Sequence, residues 1–340
     1  MRVYFDSHAH LDDRRFDGDR ADVLRQMAEQ RVTGMMNVGC SWESSLRSVA
    51  LAEEHAFIYA AVGSHPDAAD EVDEAVLDRY RALVASHPKI HAVGEIGLDY
   101  HYENIPRAVQ QRAFRLQLEL ARELGLPVIV HEREAHGDAL CILADFPDVT
   151  GVFHCYSGAW EMAQLLLKRG WYLGFTGVIT FKNARRAVEV VENAPLHRLL
   201  IETDCPYMAP EPFRGQRSDP SMVPRMAAKI AEIKEVPVIV KDVDETEVLA
   251  GEVGDHIVTA RRHGDVWYVG GLAGWDGRTV RVDLSLLPEG TYAVELFRDG
   301  ENAARIAQDY VREEFLLAPG KSFDVKMFPG GGFAARITRR

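Results

Sequence analysis

Eight short apolar runs, each followed by a segment of helical periodicity, constrain the fold of this chain more than any other feature. They are VYFDSH (3–8), TGMMNVG (33–39), FIYAAVGSH (57–65), HAVGEIGLD (91–99), LPVIVHE (126–132), TGVFHCYSG (150–158), WYLGFTGVI (171–179) and LLIETDCPY (199–207). Near-continuous apolar runs of this length suit strands buried on both faces. Between them, segments such as RADVLRQMAEQ (20–30) and QRAFRLQLELAREL (111–124) repeat apolar residues at intervals of three and four, the signature of a helix with one buried face. Strand–helix alternation of this kind specifies an α/β fold. Eight repeats over roughly 230 residues match the (β/α)8 TIM barrel, with an open doubly wound sheet as the competitor.

After residue 240 the pattern changes. HIVTARRHGDVWYVGG (256–271) alternates apolar and polar residues around His-Gly-Asp, and TVRVDLSLLPEGTYAVELFRDG (279–300) does the same around Pro-Glu-Gly. FLLAPGKSFDVKMFPGGGFAARI (315–337) adds further short strands. This is hairpin grammar and predicts a small antiparallel β-sandwich, with only residues 301–312 suited to a helix. The expected domains are therefore a barrel over 1–236 and a β-domain over 243–340, with no low-complexity linker between them.

Composition removes several functions. The net charge of −13 argues against a broad basic surface for duplex nucleic acid. No run of 18 apolar residues exists, and Asp6 interrupts the start before a leader's apolar stretch can form. Cys40, Cys141, Cys155 and Cys205 lack Cys-x-x-Cys spacing and read as reduced thiols of a cytoplasmic protein. No membrane association and no obligate protein partner are expected.

The polar residues at the strand ends carry the chemistry. His8 and His10 end the first run, His65 the third, Glu95 the fourth, His131 the fifth, His154 the sixth and Asp204 the eighth. Alternate residues of an extended chain share a side, so His8 and His10 can act together. A lone histidine is usually structural; seven such side chains at the C-terminal ends of six strands converge where barrel enzymes build their sites. Imidazole and carboxylate donors suit zinc or manganese, and carboxylates also accept magnesium. Glu95 has two oxygens and can bridge two cations, a pairing that activates water for phosphoryl displacement. Asp204 is placed to hold one cation and accept the proton of that water. The His8–His10 pair, with Glu95 and Asp204, is expected to hold the first metal.

DSHAHLD, GSHP, GEIGLDY, VIVHEREA, FHCYSG and ETDCPYMAPEPFRGQR, in this order from residue 1 to about 234, resemble the motifs of the TatD-like metal-dependent deoxyribonucleases. The resemblance implies His8, His10, Glu95, His131, His154 and Asp204 as ligands of two divalent ions (magnesium, manganese or zinc). It implies His65, Arg133 and Glu202 as substrate-side or catalytic residues, and DNA as substrate, often cut exonucleolytically. The likeness stops after AAKIAEIKEVP (227–237), where members of that family continue into another helix. From 243 to 340, DETEVLAGEVGDHIVTARRHGDVWYVGG, LPEGTYAVELFRDG and PGGGFAARI resemble the C-terminal β-domain of family 97 glycoside hydrolases. That domain carries no catalytic carboxylates, so no glycosidase activity is expected and Asp244 and Glu245 read as structural. The missing helix predicts an uncovered barrel flank, with PVIVKDV (237–243) as an extended strap across it.

Other candidates have plainer readings. His136 fits a solvated helix start, and His87 precedes a strand and belongs to the opposite end of the barrel. Cys155 and Cys205 follow ligands and should turn into packing. Arg214 and Arg217 follow the last barrel strand, where arginine can clamp a phosphate. Trp267 alternates with core positions, and Trp275 has no stronger claim to sugar binding. The residues leave three functions open: a two-metal deoxyribonuclease preferring single-stranded or frayed ends, an amide or ester hydrolase (the acylated end of tRNA, for example), and a metal-bound but idle fusion.

Overall fold

The structure, a computed structural model, describes residues 3–234 except 103, and 245–340 except 253–255, 275, 286, 288–289, 304–308 and 318–321. The chain divides into two compact units. In the first, strands β1 (Tyr4–Ala9), β2 (Val32–Val38), β3 (Ile58–Val62), β4 (Ile90–Asp99), β5 (Val128–Arg133), β6 (Gly151–Phe153), β7 (Tyr172–Phe175) and β8 (Leu199–Ile201) form one parallel sheet in sequence order. Helices follow them in turn: α1 (Arg20–Glu29), α2 (Trp42–Glu54), α3 (Glu74–Ser86), α4 (Arg107–Leu124), α5 (His136–Ala144), α6 (Trp160–Lys168), α7 (Arg185–Asn193) and α8 (Val223–Ile233). The sheet curls into a nearly closed barrel, the expected fold.

Two apolar layers build it. A large cluster lies between strands and helices, with Phe16, Phe114, Phe153, Trp171 and Phe175 among its buried members. A small one takes a single residue from each of five neighbouring strands, Val38, Ala61, Ala92, Ile129 and Val152, with Leu200 of β8 against it. One residue per strand in a ring is the packing of a barrel's interior. Helix α4 ends where Gly125 turns left-handed at φ 65°, a conformation glycine adopts without the Cβ penalty.

The expectation of an uncovered flank is corrected. Helix α8 follows β8 and buries Val223, Met226, Ile230 and Ala231, so each barrel strand has its helix and the last flank is covered from within the first unit. The proposed strap over 237–243 lies outside the described residues. Strand β4 also runs on to Asp99, so Glu95 sits inside it rather than at its end.

Closure depends on Asp6. Its carboxyl group, fully buried on β1 and pushed up to about 8 by that burial, accepts the Thr203 N–H (2.9 Å), the Thr203 hydroxyl (2.5 Å) and the His8 N–H (3.2 Å). Beside it the Asp204 N–H donates to the His8 carbonyl and the His10 N–H to that of Cys205, both at 2.9 Å. First and last strands are thereby joined at the end where the histidines lie.

The second unit is antiparallel. Strands β9 (Glu245–Glu252), β10 (His256–His263), β11 (Val266–Ala273), β13 (Tyr292–Asp299), β14 (Tyr310–Leu317) and β16 (Gly332–Arg339) form a six-stranded sheet ordered β14-β13-β16-β11-β10-β9. Strands β12 (Arg278–Asp283) and β15 (Ser322–Met327) form a second sheet. Trp267, Val294 and Ile337 of the larger sheet share one core with Val280, Val282 and Val325 of the smaller, which is the expected sandwich with Trp267 inside it. The helix expected over 301–312 is not formed as read: Tyr310 already begins β14, where alternate pairing with β13 satisfies its backbone, and 304–308 lie outside the described residues.

Replacing Asp6 by alanine strands three buried donors, each of which costs on the order of 1 kcal/mol or more. Asp6→Ala is expected to lower stability by about 3 kcal/mol in urea unfolding. A change under about 0.5 kcal/mol, the range of a neutral surface substitution, would remove Asp6 from barrel closure.

Candidate metal centre and active site

Strand β1 delivers His8 from its interior and His10 from the residue just past its end. The chain is then anchored: Asn37 on β2 accepts the Leu11 N–H (2.7 Å) and donates to Asp12 (3.0 Å), which also accepts the Ser44 hydroxyl (2.7 Å). His10 Nδ1 lies 2.7 Å from the Val38 carbonyl. A carbonyl can only accept, so Nδ1 carries a proton and Nε2 is the nitrogen turned to the cluster. That Nε2 stands 3.0 Å from His8 Nε2 and 3.5 Å from both Glu95 Oε2 and Asp204 Oδ1. His8 Nε2 is 3.5 Å from the same Glu95 oxygen and 3.8 Å from the same Asp204 oxygen.

The other oxygen of Glu95 faces a different group. Its Oε1 lies 2.9 Å from His131 Nδ1, 2.7 Å from His154 Nε2 and 3.9 Å from His65 Nε2. A shift of strand register between Val93 and Ile96 makes this possible. Ala92 belongs to the inner apolar ring, while Val93 and Ile96 both pack outside. Simple alternation would put Ala92 and Glu95 on opposite faces; the slip lets both face inward.

Behind His131 and His154 stand further carboxylates. His131 Nε2 meets Asp99 Oδ2 at 3.1 Å. His154 stacks on His8, centroids 4.0 Å apart, and turns Nδ1 toward Glu202 Oε1 at 3.6 Å. Glu202 is fully buried behind it and accepts the Cys155 N–H (2.5 Å) and the Ser7 hydroxyl (3.3 Å). Asp204 and Cys155 take left-handed φ values of 54° and 44°, sparsely populated backbone of the kind that gathers at functional sites.

The electrostatics fit a divalent cation. Burial alone would raise the Glu95 carboxyl, but His154, His8 and His65 hold it well below the usual carboxylate range. Asp204 is likewise lowered against burial by its hydrogen bond to His10. Burial opposes protonation of His10, His131 and His154, yet Asp204, Asp99 and Glu95 respectively raise all three. The centre attracts positive charge. Its donors are imidazole nitrogens and carboxylate oxygens, and His8 Nδ1 and His154 Nδ1 are buried without a hydrogen-bond partner. His8, His10 and Glu95 form one cluster with the spacing a cation needs, and His65, Glu95 and His131 another. The residues fit the metal that the donor chemistry calls for.

His65 differs from its neighbours. Burial holds it down to about 3, so its ring is neutral at pH 7. Its Nδ1 accepts the Asp67 N–H at 3.1 Å, which places the remaining proton on Nε2, on the cluster side.

The matching family model, described as TatD related DNase, covers residues 5–247. The chain belongs to the TatD family. The metal-dependent hydrolase YabD of Bacillus subtilis (strain 168) is 43% identical over 236 residues, covering 69% of this chain and 92% of that protein. A 3′-5′ ssDNA/RNA exonuclease TatD of Cronobacter turicensis is 35% identical over 237 residues, covering 67% and 89%. The crystal structure of the TatD homologue YjjV from Escherichia coli K12 superposes with a TM-score of 0.65 at 33% identity, covering 69% of this chain and 92% of that one. The protein is a metal-dependent hydrolase of this family. Residues 242–338 match a second model, described as glycosyl-hydrolase 97 C-terminal, oligomerisation, so the TatD barrel is followed by a domain of that kind.

Of the residues singled out from sequence, His8, His10, Glu95, His131, His154 and Asp204 converge, with His65 beside them and Glu202 behind. Arg133 lines the cavity next to His131 and lies over the Tyr102 ring at 5.1 Å. Arg214 instead stacks on Phe181 at 4.3 Å, and Arg217 pairs with Asp19. Cys205 is buried as expected, but Cys155 lines the cavity instead of turning into packing, because its left-handed backbone reverses the side chain's direction. His136 is not merely solvated: its Nδ1 contacts the Glu132 carboxylate. Asp99 joins the site without standing out in the sequence, although its four-residue spacing from Glu95 on one strand signals a shared face.

A carboxylate behind a ligating imidazole fixes the ring, and its loss typically costs 10- to 100-fold in metal affinity. Asp99→Asn is expected to weaken manganese or zinc binding in calorimetric titration by about that factor with the circular dichroism unchanged. Equal affinity in parent and variant would refute the role.

Proposed function

We propose that the barrel, residues 1–236, hydrolyses DNA phosphodiester bonds from single-stranded or frayed ends, using two divalent cations. The observation that carries this reading is the division of Glu95: Oε2 faces His8 and His10, Oε1 faces His131 and His154. Asp204 completes the first group. Magnesium, manganese or zinc bound there would acidify water and neutralise charge building on the phosphoryl oxygens. The exonuclease name carried by the Cronobacter turicensis relative supports the choice of nucleic acid.

The chain's own residues do the rest. Asp204, ionised and lining the cavity, accepts the proton of the attacking water as the new P–O bond forms. The bond to the leaving oxygen breaks, and that oxygen takes its proton from solvent at the mouth. His65, neutral with its proton on Nε2, donates a hydrogen bond to a phosphoryl oxygen; that proton makes it a substrate contact rather than a ligand. Glu202 acts through His154, holding the ring in place. Arg133 meets the substrate backbone. The β-domain, 243–340, serves assembly rather than catalysis, in keeping with the description of its family. Four free cysteines suit a reducing cytoplasm.

Asparagine keeps the size of Asp204 but cannot accept the proton. Asp204→Asn is expected to slow degradation of a single-stranded oligonucleotide by ~10²–10⁴-fold; a rate within a few-fold of the parent would exclude the assigned role.

With net charge −13 the protein has little to grip a duplex. Digestion of the oligonucleotide should far outpace that of a sealed plasmid. Comparable rates on the two would contradict end recognition.

A further inference from the structure

The metal centre opens into a cavity of about 500 Å³ that runs from His131, His154 and Asp204 to the first residues of α7. Two ions and one phosphate do not need that space, which falls in the range of pockets that hold a whole small ligand. Its walls are of two kinds. Val178 and Met208 offer apolar surface, backed by buried Phe175 and Ile179. Gly177 holds the two sides of this wall together: a Cβ there would meet the Met208 carbonyl at 2.0 Å. Arg185 and Arg186, both exposed at the start of α7, line the far part with Asn183. Among the described residues neither arginine forms an ion pair. In a chain this acidic, two adjacent cations without carboxylate partners beside a phosphoryl-transfer site call for an anion.

We infer that this cavity is the slot for a strand's terminal nucleotide, with the base against Val178 and Met208 and the adjoining backbone phosphate on Arg185 and Arg186. The inference rests on the nuclease reading above and goes beyond it by assigning the groups that recognise the strand end. The combination selects the ligand class. A base presents a flat face that apolar side chains and a polarizable thioether can cover, and a phosphate one residue away suits arginine. Val178 and Met208 meet the face of a base rather than its edge, a contact that tolerates any sequence.

The test uses the full chain with manganese and a ten-nucleotide single strand, alongside the same strand carrying abasic residues at both ends. Removing the terminal bases is expected to lower kcat/KM about tenfold or more, the scale of one lost stacking contact. In Arg185→Glu/Arg186→Glu, the dependence of log Kd on log salt, read by fluorescence anisotropy without metal, should become shallower by about 0.7, the contribution of the one phosphate the pair holds. Both arginines are exposed, and circular dichroism checks that the variant folds. If the parent degrades the intact strand but treats the abasic strand equally, and the salt slope is unmoved, the slot is wrong and the nuclease reading stands. If the parent neither binds nor degrades the intact strand, the nuclease reading falls and the slot with it.

Discussion

The join between the first and last barrel strands is the constraint on which the site depends. Asp6 on β1 accepts both donors of Thr203 just past β8, and the backbone bonds beside it tie His8 to Asp204 and His10 to Cys205. A buried carboxyl group without partners would be costly, so the donors and Asp6 require one another. The same contact that closes the barrel brings a histidine pair from one end of the sequence against a carboxylate some two hundred residues away. Stability and site geometry are thus set by one interaction.

Within the barrel mouth, acid and imidazole compensate each other. Glu95 and Asp204 are buried carboxylates that remain ionised because imidazoles surround them. The histidines are in turn drawn toward protonation by those acids. A polar cluster of this density, placed in water-poor surroundings, is worth its desolvation cost only if something binds it. The carboxylates behind it, Asp99 and Glu202, extend the order outward and fix the imidazole rings.

The β-unit is a different solution to folding. Its strands alternate inward and outward residues and bury one apolar face of each sheet against the other, whereas the barrel strands are buried on both faces. No sequence pattern bridges the two, which fits a chain built from two independently recognisable pieces.

The sequence by itself determined the eight barrel strands, their helices, the change to antiparallel grammar and the residue types at the strand ends. These are written in local periodicity, and periodicity follows from which side of a strand or helix meets the core. The expectation of an uncovered flank failed because α8, which lies within the matched stretch, already buries its apolar face there. Only the tertiary structure decided which oxygen of Glu95 faces which histidines, since that depends on a one-residue slip within β4 that alternation does not record. It alone placed Asp99 against His131, set Glu202 behind His154, and left His65 neutral with its outer nitrogen occupied. It also separated Arg214, stacked on Phe181, from Arg185 and Arg186, which line the cavity. The physical reason is common to all of them. Chemistry at a barrel mouth is made by strands and loops that meet only after closure, and the distance between two of them is a property of the closed barrel rather than of any segment of its chain.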